Sequence, residues 1–110
     1  MKLKALLPTL KEKKRYLVFE VISDKKIGYS TAINKIMQRI SEFIGELGMA
    51  RANVNVLEHW NKQRGILKVN HKYVDEIKAG LTLVNKIDNQ DVIVRCLTVS
   101  GILNKAKGYL

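Results

Sequence analysis

Cysteine is almost absent from the sequence, since Cys96 is the only one among 110 residues. A single cysteine excludes an intrachain disulfide framework and is typical of a protein from a reducing compartment. The alternation around Cys96 predicts that it faces the core as a small hydrophobe rather than acting as a nucleophile. Long apolar runs are also missing, because the one that begins at Met1 is cut short by Pro8 and by the charges that follow. We therefore expect a soluble, cytoplasmic protein with no membrane partner.

Acidic residues are scarce relative to basic ones. The chain has 20 Lys and Arg against 10 Asp and Glu, which gives a net charge of +10. Such an excess favours a polyanionic partner, with nucleic acid as the first candidate and a membrane surface as the second. The apolar fraction of 46% is ordinary for a folded chain, and the length suits one small domain.

Motifs for catalysis and metal binding are missing as well. His59 and His71 fall on different predicted elements, and neither has a cysteine or carboxylate at the spacing of a metal site. No serine has a neighbouring His–Asp arrangement, and no glycine-rich phosphate loop is present. A small phosphatase could share the predicted element order, but the loop at residues 24–29 lacks the required glycines and arginine. We expect no active site, no metal and no cofactor in the protein itself.

Hydrophobic periodicity divides the chain into four strands and two helices. In chain order the predictions are strand 15–23, helix 31–47, strand 50–57, strand 66–69, helix 71–87 and strand 91–101. The order β-α-β-β-α-β predicts a two-layer α/β sandwich of the ferredoxin-like or RRM-like kind, with an antiparallel sheet and both helices on one face. The predicted divisions are a basic N-terminal arm (1–14), a single domain (15–101) and a short basic, helical tail (102–110).

Five residues carry specific local predictions. Ser30 and Asn70 are placed as N-caps of the two helices, and Gly48 is placed just after the end of the first. Phe43 is expected in the core as part of the apolar stripe. Gly80 interrupts the second helix, and we expect it to allow another backbone to approach closely.

The sheet face opposite the helices is the predicted binding surface. Arg95 lies in the middle of a β-branched strand and is expected to point out of this face. The face mixes cations, amides and aliphatic side chains. This mixture is more apolar than we expect for a surface that contacts only solvent, so the face should bind a partner. The 58–65 segment is predicted to be a hairpin connection, in which Trp60 covers the hairpin end, stacks on a base or anchors a protein partner.

The candidate residues form two sets. The predicted phosphate-binding cations are Lys11, Lys14, Arg15, Arg51, Lys62, Arg64, Lys68, Arg95, Lys105 and Lys107. The predicted partner-binding residues are Tyr16, Val18, Trp60, Ile66, Ile93 and Leu97.

Three stretches carry a resemblance to a known family. They are LPTLKEKKRY running into VFEVIS (residues 7–23), YVDEI through LTLV (73–84) and IVRCLTVSGI (93–102). In these stretches and in element order, the chain resembles the archaeal ribonuclease P protein component 2 family, homologues of the eukaryotic Pop-five subunit. Residues 7–23 are the most specific match, although Leu7 stands where another proline is expected.

The resemblance implies a noncatalytic RNA-binding subunit of a ribonucleoprotein that processes tRNA. In that family the RNA subunit is the endoribonuclease: it removes 5′ leaders from precursor tRNA by magnesium-dependent hydrolysis. The implied partners are ribonuclease P RNA, protein component 3 and, indirectly, precursor tRNA, and self-association is left open. The main alternative is a protein–protein interaction module of the same fold that makes no direct RNA contact.

Overall fold

The computed structural model describes residues 13–110, which form one five-stranded antiparallel sheet and three α-helices. The order of strands across the sheet is β2-β3-β1-β5-β4. The elements are β1 (Lys14–Ser23), α1 (Tyr29–Ala52), β2 (Asn55–Asn61), β3 (Arg64–Asn70), α2 (Val74–Thr82), β4 (Lys86–Ile87), β5 (Gln90–Ser100) and α3 (Leu103–Lys107). The predicted antiparallel α/β sandwich is confirmed. None of the helices in this part of the chain is both long and apolar enough to cross a membrane.

The main core lies between one face of the sheet and helices α1 and α2. Leu17 and Phe19 of β1 are fully buried there against Ile36 and Ile40 of α1. A Cβ atom added to Gly80 of α2 would lie 3.2 Å from Ile40 Cγ1 and 3.5 Å from Ile40 Cα. The glycine therefore lets the two helices pack closely, as predicted. We call this face of the sheet the helix face and the opposite one the outer face.

Helix α1 is longer than predicted at both ends. Its N-cap is Gly28, with no side-chain cap, so the assignment of Ser30 as a cap was wrong. Gly48 does not end the helix, and the departure from helical geometry occurs at Gly45, where φ is 75° and ψ is 174°. Part of the apolar stripe is exposed even before this kink. Phe43, expected in the core, is 48% exposed.

The second strand begins five residues later than predicted. Residues 50–52 continue α1, which ends at Asn53 in the left-handed conformation. Arg51 therefore lies in the last helical turn and not on the sheet. The hairpin connection is also shorter than the predicted segment 58–65, because β2 continues to Asn61. Lys62 and Gln63, with φ of 54° and 58°, form a two-residue turn between β2 and β3.

Helix α2 is shorter than predicted, because residues 71–73 form a 3-10 turn and the helix ends at Thr82. Asn70 is an N-cap, but of the 3-10 turn rather than of α2: its side chain accepts a hydrogen bond from the Lys72 backbone N–H, whereas the N-cap of α2 is Tyr73. The end of the predicted helix is instead β4, which pairs with the start of β5 and places Lys86 opposite Asp91.

A second, smaller core lies on the outer face. Ala106 of α3 is fully buried there with Val18 and Ile66, while Leu103 and Leu110 pack around them. The basic tail therefore folds back as a helix and covers part of the surface predicted to bind a partner. The face keeps its binding potential only where α3 does not cover it.

Candidate nucleic-acid interface

Strand pairing arranges the outer face in rows that run across β3, β1 and β5. The ionic row consists of Arg64, Glu20 and Arg95, where Glu20 is the Cα partner of both arginines. A covered row, Ile66, Val18 and Thr98, lies on one side of it. An exposed apolar pair, Ile22 and Ile93, lies on the other side. Because alternate residues of a strand share a face, these rows point to the same side of the sheet.

The ionic row is held together by both oxygens of one carboxylate. Arg64 Nε lies 2.9 Å from Glu20 Oε2, and Arg95 Nη2 lies 2.9 Å from Glu20 Oε1. The hydrogen bond from Arg64 is the largest influence on the pKa of Glu20 and lowers it, although burial acts in the opposite direction. The Glu20 side chain is only 14% exposed, whereas that of Arg95 is 58% exposed. The row thus has one net positive charge, and its most accessible group is a guanidinium.

The tail that lies over the covered row is held in place by hydrogen bonds from β2 and β3. Arg64 Nη1 donates to the Tyr109 carbonyl oxygen at 2.8 Å, and Asn61 Nδ2 donates to the Leu110 oxygen at 3.0 Å. Val18 and Ile66, two predicted partner-binding residues, are therefore occupied by the chain's own tail. Contact between them and a partner would require α3 to leave the sheet.

The other predicted partner-binding residues are distributed unevenly. Tyr16 and Leu97 pack at the margin of the covered row, and Leu97 lies at a β-bulge where the β1–β5 register shifts. Ile93 is 62% exposed and Ile22 beside it is 42% exposed, so this pair remains open to contact. Trp60 instead lies on the helix face, where its ring packs against Phe19.

Five of the predicted cations share the outer side of the sheet. Lys68 lies in the same face of β3 as Arg64, and Arg95 lies on β5. Because Ala106 packs onto this face, its neighbours Lys105 and Lys107 remain exposed above the sheet. The members of this group, called the outer cations below, are Arg64, Lys68, Arg95, Lys105 and Lys107.

The other predicted cations in the described part of the chain lie at the ends of helices and strands. Arg51 is exposed at the end of α1, and Lys62 is exposed in the tight turn that precedes Arg64. Lys14 and Arg15 begin β1, where Arg15 Nη1 donates to the Lys14 carbonyl oxygen at 3.0 Å. Lys11 lies outside the described residues.

Two features of this surface had no assigned role in the sequence-based prediction. Alternation places Glu20 and Arg95 on the same face, but only the register shows that Glu20 pairs with both Arg64 and Arg95. The apolar residues Leu103, Ala106 and Leu110 recur at helical spacing, which is a signal for the docking of α3. No group of three or more His, Cys, Asp and Glu side chains within residues 13–110 is placed to hold a metal ion.

Comparison with known proteins adds independent information. The model of the Rpp14/Pop5 family matches residues 15–110. The chain is 37% identical over 105 residues to ribonuclease P protein component 2 of Methanocaldococcus jannaschii, covering 96% of this chain and 78% of that protein. It is 34% identical over 108 residues to the component 2 of Pyrococcus abyssi, covering 97% and 92%.

Structural comparison supports the fold. A chain in the cryo-EM structure of yeast ribonuclease MRP superimposes with a TM-score of 0.66 at 13% sequence identity, covering 89% of this chain and 86% of that one. The family model and the two sequence relatives confirm the predicted resemblance to archaeal ribonuclease P protein component 2. The family match spans every strand and helix described above except the first residue of β1, and on this evidence the chain belongs to the Rpp14/Pop5 family.

Proposed function

We propose that this protein is a noncatalytic subunit of ribonuclease P that binds the RNA subunit and supports it in removing 5′ leaders from precursor tRNA. The observation that carries the proposal is the grouping of the outer cations on one side of the sheet in a chain with a net charge of +10. Because the chain belongs to the Rpp14/Pop5 family, ribonuclease P is the assembly in which such a surface would act. In an archaeal cell this work would take place in the cytoplasm.

Contact with phosphates is the favoured mode of RNA recognition. A folded RNA concentrates negative charge, and each Lys or Arg that neutralises a phosphate releases condensed counterions. Exposed aromatic rings for base stacking are missing from the central rows of the outer face, where Ile66, Val18, Glu20 and Arg95 stand. The protein would therefore position and neutralise the RNA backbone rather than select a base sequence.

Magnesium is assigned to the RNA subunit and not to this protein. The described side chains form no set of His, Cys, Asp and Glu that fits a metal ion. Within the proposal, the protein contributes positive charge and a rigid surface, while the RNA carries out the hydrolysis. Protein component 3 is the proposed protein partner. The protein would act on precursor tRNA indirectly, through the RNA subunit.

Reconstitution tests the proposal most directly. The RNA subunit is combined with component 3 at limiting magnesium, with or without this chain, and cleavage of precursor tRNA is scored. We expect the chain to raise the cleavage rate and to lower the magnesium concentration needed. An unchanged rate and an unchanged magnesium requirement in its presence would refute the proposal.

A pair of matched variants tests the surface itself. Lys68→Gln removes an outer cation, and we expect the slope of log affinity for the RNA against log salt to fall by about one. Lys78→Gln removes an exposed lysine from α2 on the helix face and is the control. Equal salt slopes for the two variants would exclude Lys68 from the interface.

The exposed apolar pair favours a second candidate, a protein interaction module that makes no RNA contact. Ile22 and Ile93 are adjacent, exposed and next to the ionic row, an arrangement suited to a partner protein. Gel filtration with component 3, followed by RNA footprinting of the complex, separates the two candidates. A stable complex that protects no nucleotides would support the second one.

A further inference from the structure

The geometry points to a second binding site, on the helix face beside the edge strand β2. We propose that Tyr29, Glu58 and Trp60 form a cage for a cationic side chain, an arginine or a lysine, of a partner protein. The site does not involve the outer cations and does not depend on RNA binding.

The two aromatic rings of the cage are set at an angle to each other. The ring centroids of Tyr29 and Trp60 are 5.7 Å apart, with an interplanar angle of 64°. Together with Glu58 they line an open concavity of about 310 Å³. Both aromatic residues are only partly buried and line this concavity, and a guanidinium or ammonium group binds favourably over the face of an aromatic ring.

The position of Trp60 is supported from beneath. Its cross-strand partner is Gly65, and a Cβ atom there would lie 2.7 Å from Phe19 Cζ and 3.3 Å from Trp60 Cε3. The absence of a side chain at Gly65 therefore makes room for both rings, whose centroids are 6.2 Å apart. Trp60 is thus held by the core on one side while it lines the concavity on the other.

Glu58 determines the kind of ligand. It is exposed, and within residues 13–110 it has no Lys, Arg or His nitrogen within 4.0 Å, although the chain has a large excess of cations. Burial raises the pKa of Tyr29, and the nearby negative charge of Glu58 raises it further. A carboxylate beside two rings repels a phosphate and attracts a cation, so a protein side chain fits better than a nucleotide.

The location of the cage suits contact with a protein chain. Strand β2 is one of the two edge strands of the sheet, so a partner can approach the cage from the side without displacing another strand. The whole chain has a net charge of +10 and repels most basic segments. A local site with a carboxylate and aromatic faces is therefore selective, because it offsets this repulsion.

Trp60 is the only tryptophan and therefore reports on the site directly. The full chain is titrated with an N-acetylated, C-amidated Gly-Arg-Gly peptide while tryptophan fluorescence is recorded, and with Gly-Gln-Gly and uridine monophosphate as comparison ligands. We expect a saturable change with the arginine peptide alone. Glu58→Gln should weaken the apparent affinity by about fivefold. Glu46→Gln, which changes an exposed glutamate on α1, should leave it unchanged.

Two results would overturn the cage. One is an arginine response that is missing from the wild-type chain or equal in strength in Glu58→Gln. The other is a stronger response to uridine monophosphate than to the arginine peptide. A cooperative unfolding transition in urea shows that each variant is folded at the start of the titration. RNA affinity is measured in parallel. An unchanged RNA affinity in Glu58→Gln keeps this site separate from the proposed RNA-binding surface.

Discussion

The two faces of the sheet are covered to very different extents. On the helix face, α1 and α2 seal a continuous core that includes Leu17, Phe19 and Ile36, all fully buried. On the outer face, the five-residue helix α3 is the only helix within residues 13–110 that is docked, and it lies over Val18 and Ile66. Beyond α3 the outer face exposes the ionic row and the apolar pair Ile22 and Ile93.

This difference separates the source of stability from the source of recognition. Burial of apolar area is the main favourable term in folding, and most of it lies on the helix face. Charged groups contribute little to stability when they are exposed, but they determine which partner is attracted. The outer face can therefore vary its charge with little effect on the fold, a separation that substitutions on the two faces can test.

The largest effect is expected in the main core. Ile36→Ala removes a fully buried side chain between α1 and the sheet. Such a cavity costs about 2–5 kcal/mol of unfolding free energy. Denaturant midpoints at constant slope measure the loss. Ile93→Ala on the outer face is the control, and we expect a change within about 0.5 kcal/mol because Ile93 is 62% exposed. Similar losses in both variants would refute the contrast between the faces.

A smaller effect is expected from undocking α3. Ala106→Asp places a charge against Val18 and Ile66, and we expect a loss of about 1–3 kcal/mol. The loss should be local: amide hydrogen exchange should speed up in residues 103–110 while the β1–β3 ladder stays protected.

Asn104→Asp is the matched control, because it makes the same change in charge at an exposed position of the same helix. Equal loss of protection in the two variants would show that the added charge alone opens the tail, and not the burial of that charge between α3 and the sheet.

Much of the fold follows from the sequence because periodicity reports burial. The stripe at Ile33, Ile36 and Ile40 predicts α1, and the β-branched run after Asp91 predicts β5. The boundary near Arg51 could not be predicted in the same way. Residues 50–56 alternate between apolar and polar, but Ala and Arg are also strong helix formers, and in the structure the helix continues to Ala52.

The candidate site was harder to predict than the fold. Alternation assigns Arg95 to the outer face, and this assignment is confirmed by its contact with Glu20. The register that brings Arg64 to the same carboxylate depends on the lengths of the turns and on a bulge near Leu97, neither of which periodicity encodes. The spacing of Leu103, Ala106 and Leu110 indicates a helix with an apolar side, but the place where it docks depends on long-range contact between Ala106 and Val18, which no local pattern gives.

The smallest effect on stability is expected in the ionic row. The pKa of Glu20 is lowered in the folded protein, so its ion pairs stabilise the fold above the unfolded-state pKa, and this contribution is lost as the pH falls through the folded-state pKa. Glu20→Gln should therefore cost about 1 kcal/mol near neutral pH, and the gap from the wild type should close on acidification.

Glu20→Gln also tests whether the outer face binds RNA, because it leaves Arg64 and Arg95 without their shared carboxylate. If both arginines face the RNA, the salt slope should steepen by up to about one, since one more positive charge is available to phosphates. Glu42→Gln removes the exposed partner of Arg39 on α1 and is the control, for which no change in slope is expected. A steeper slope in both variants would mean that net charge alone drives binding. A steeper slope in Glu20→Gln alone would assign the effect to the outer face, because the two substitutions change the net charge equally.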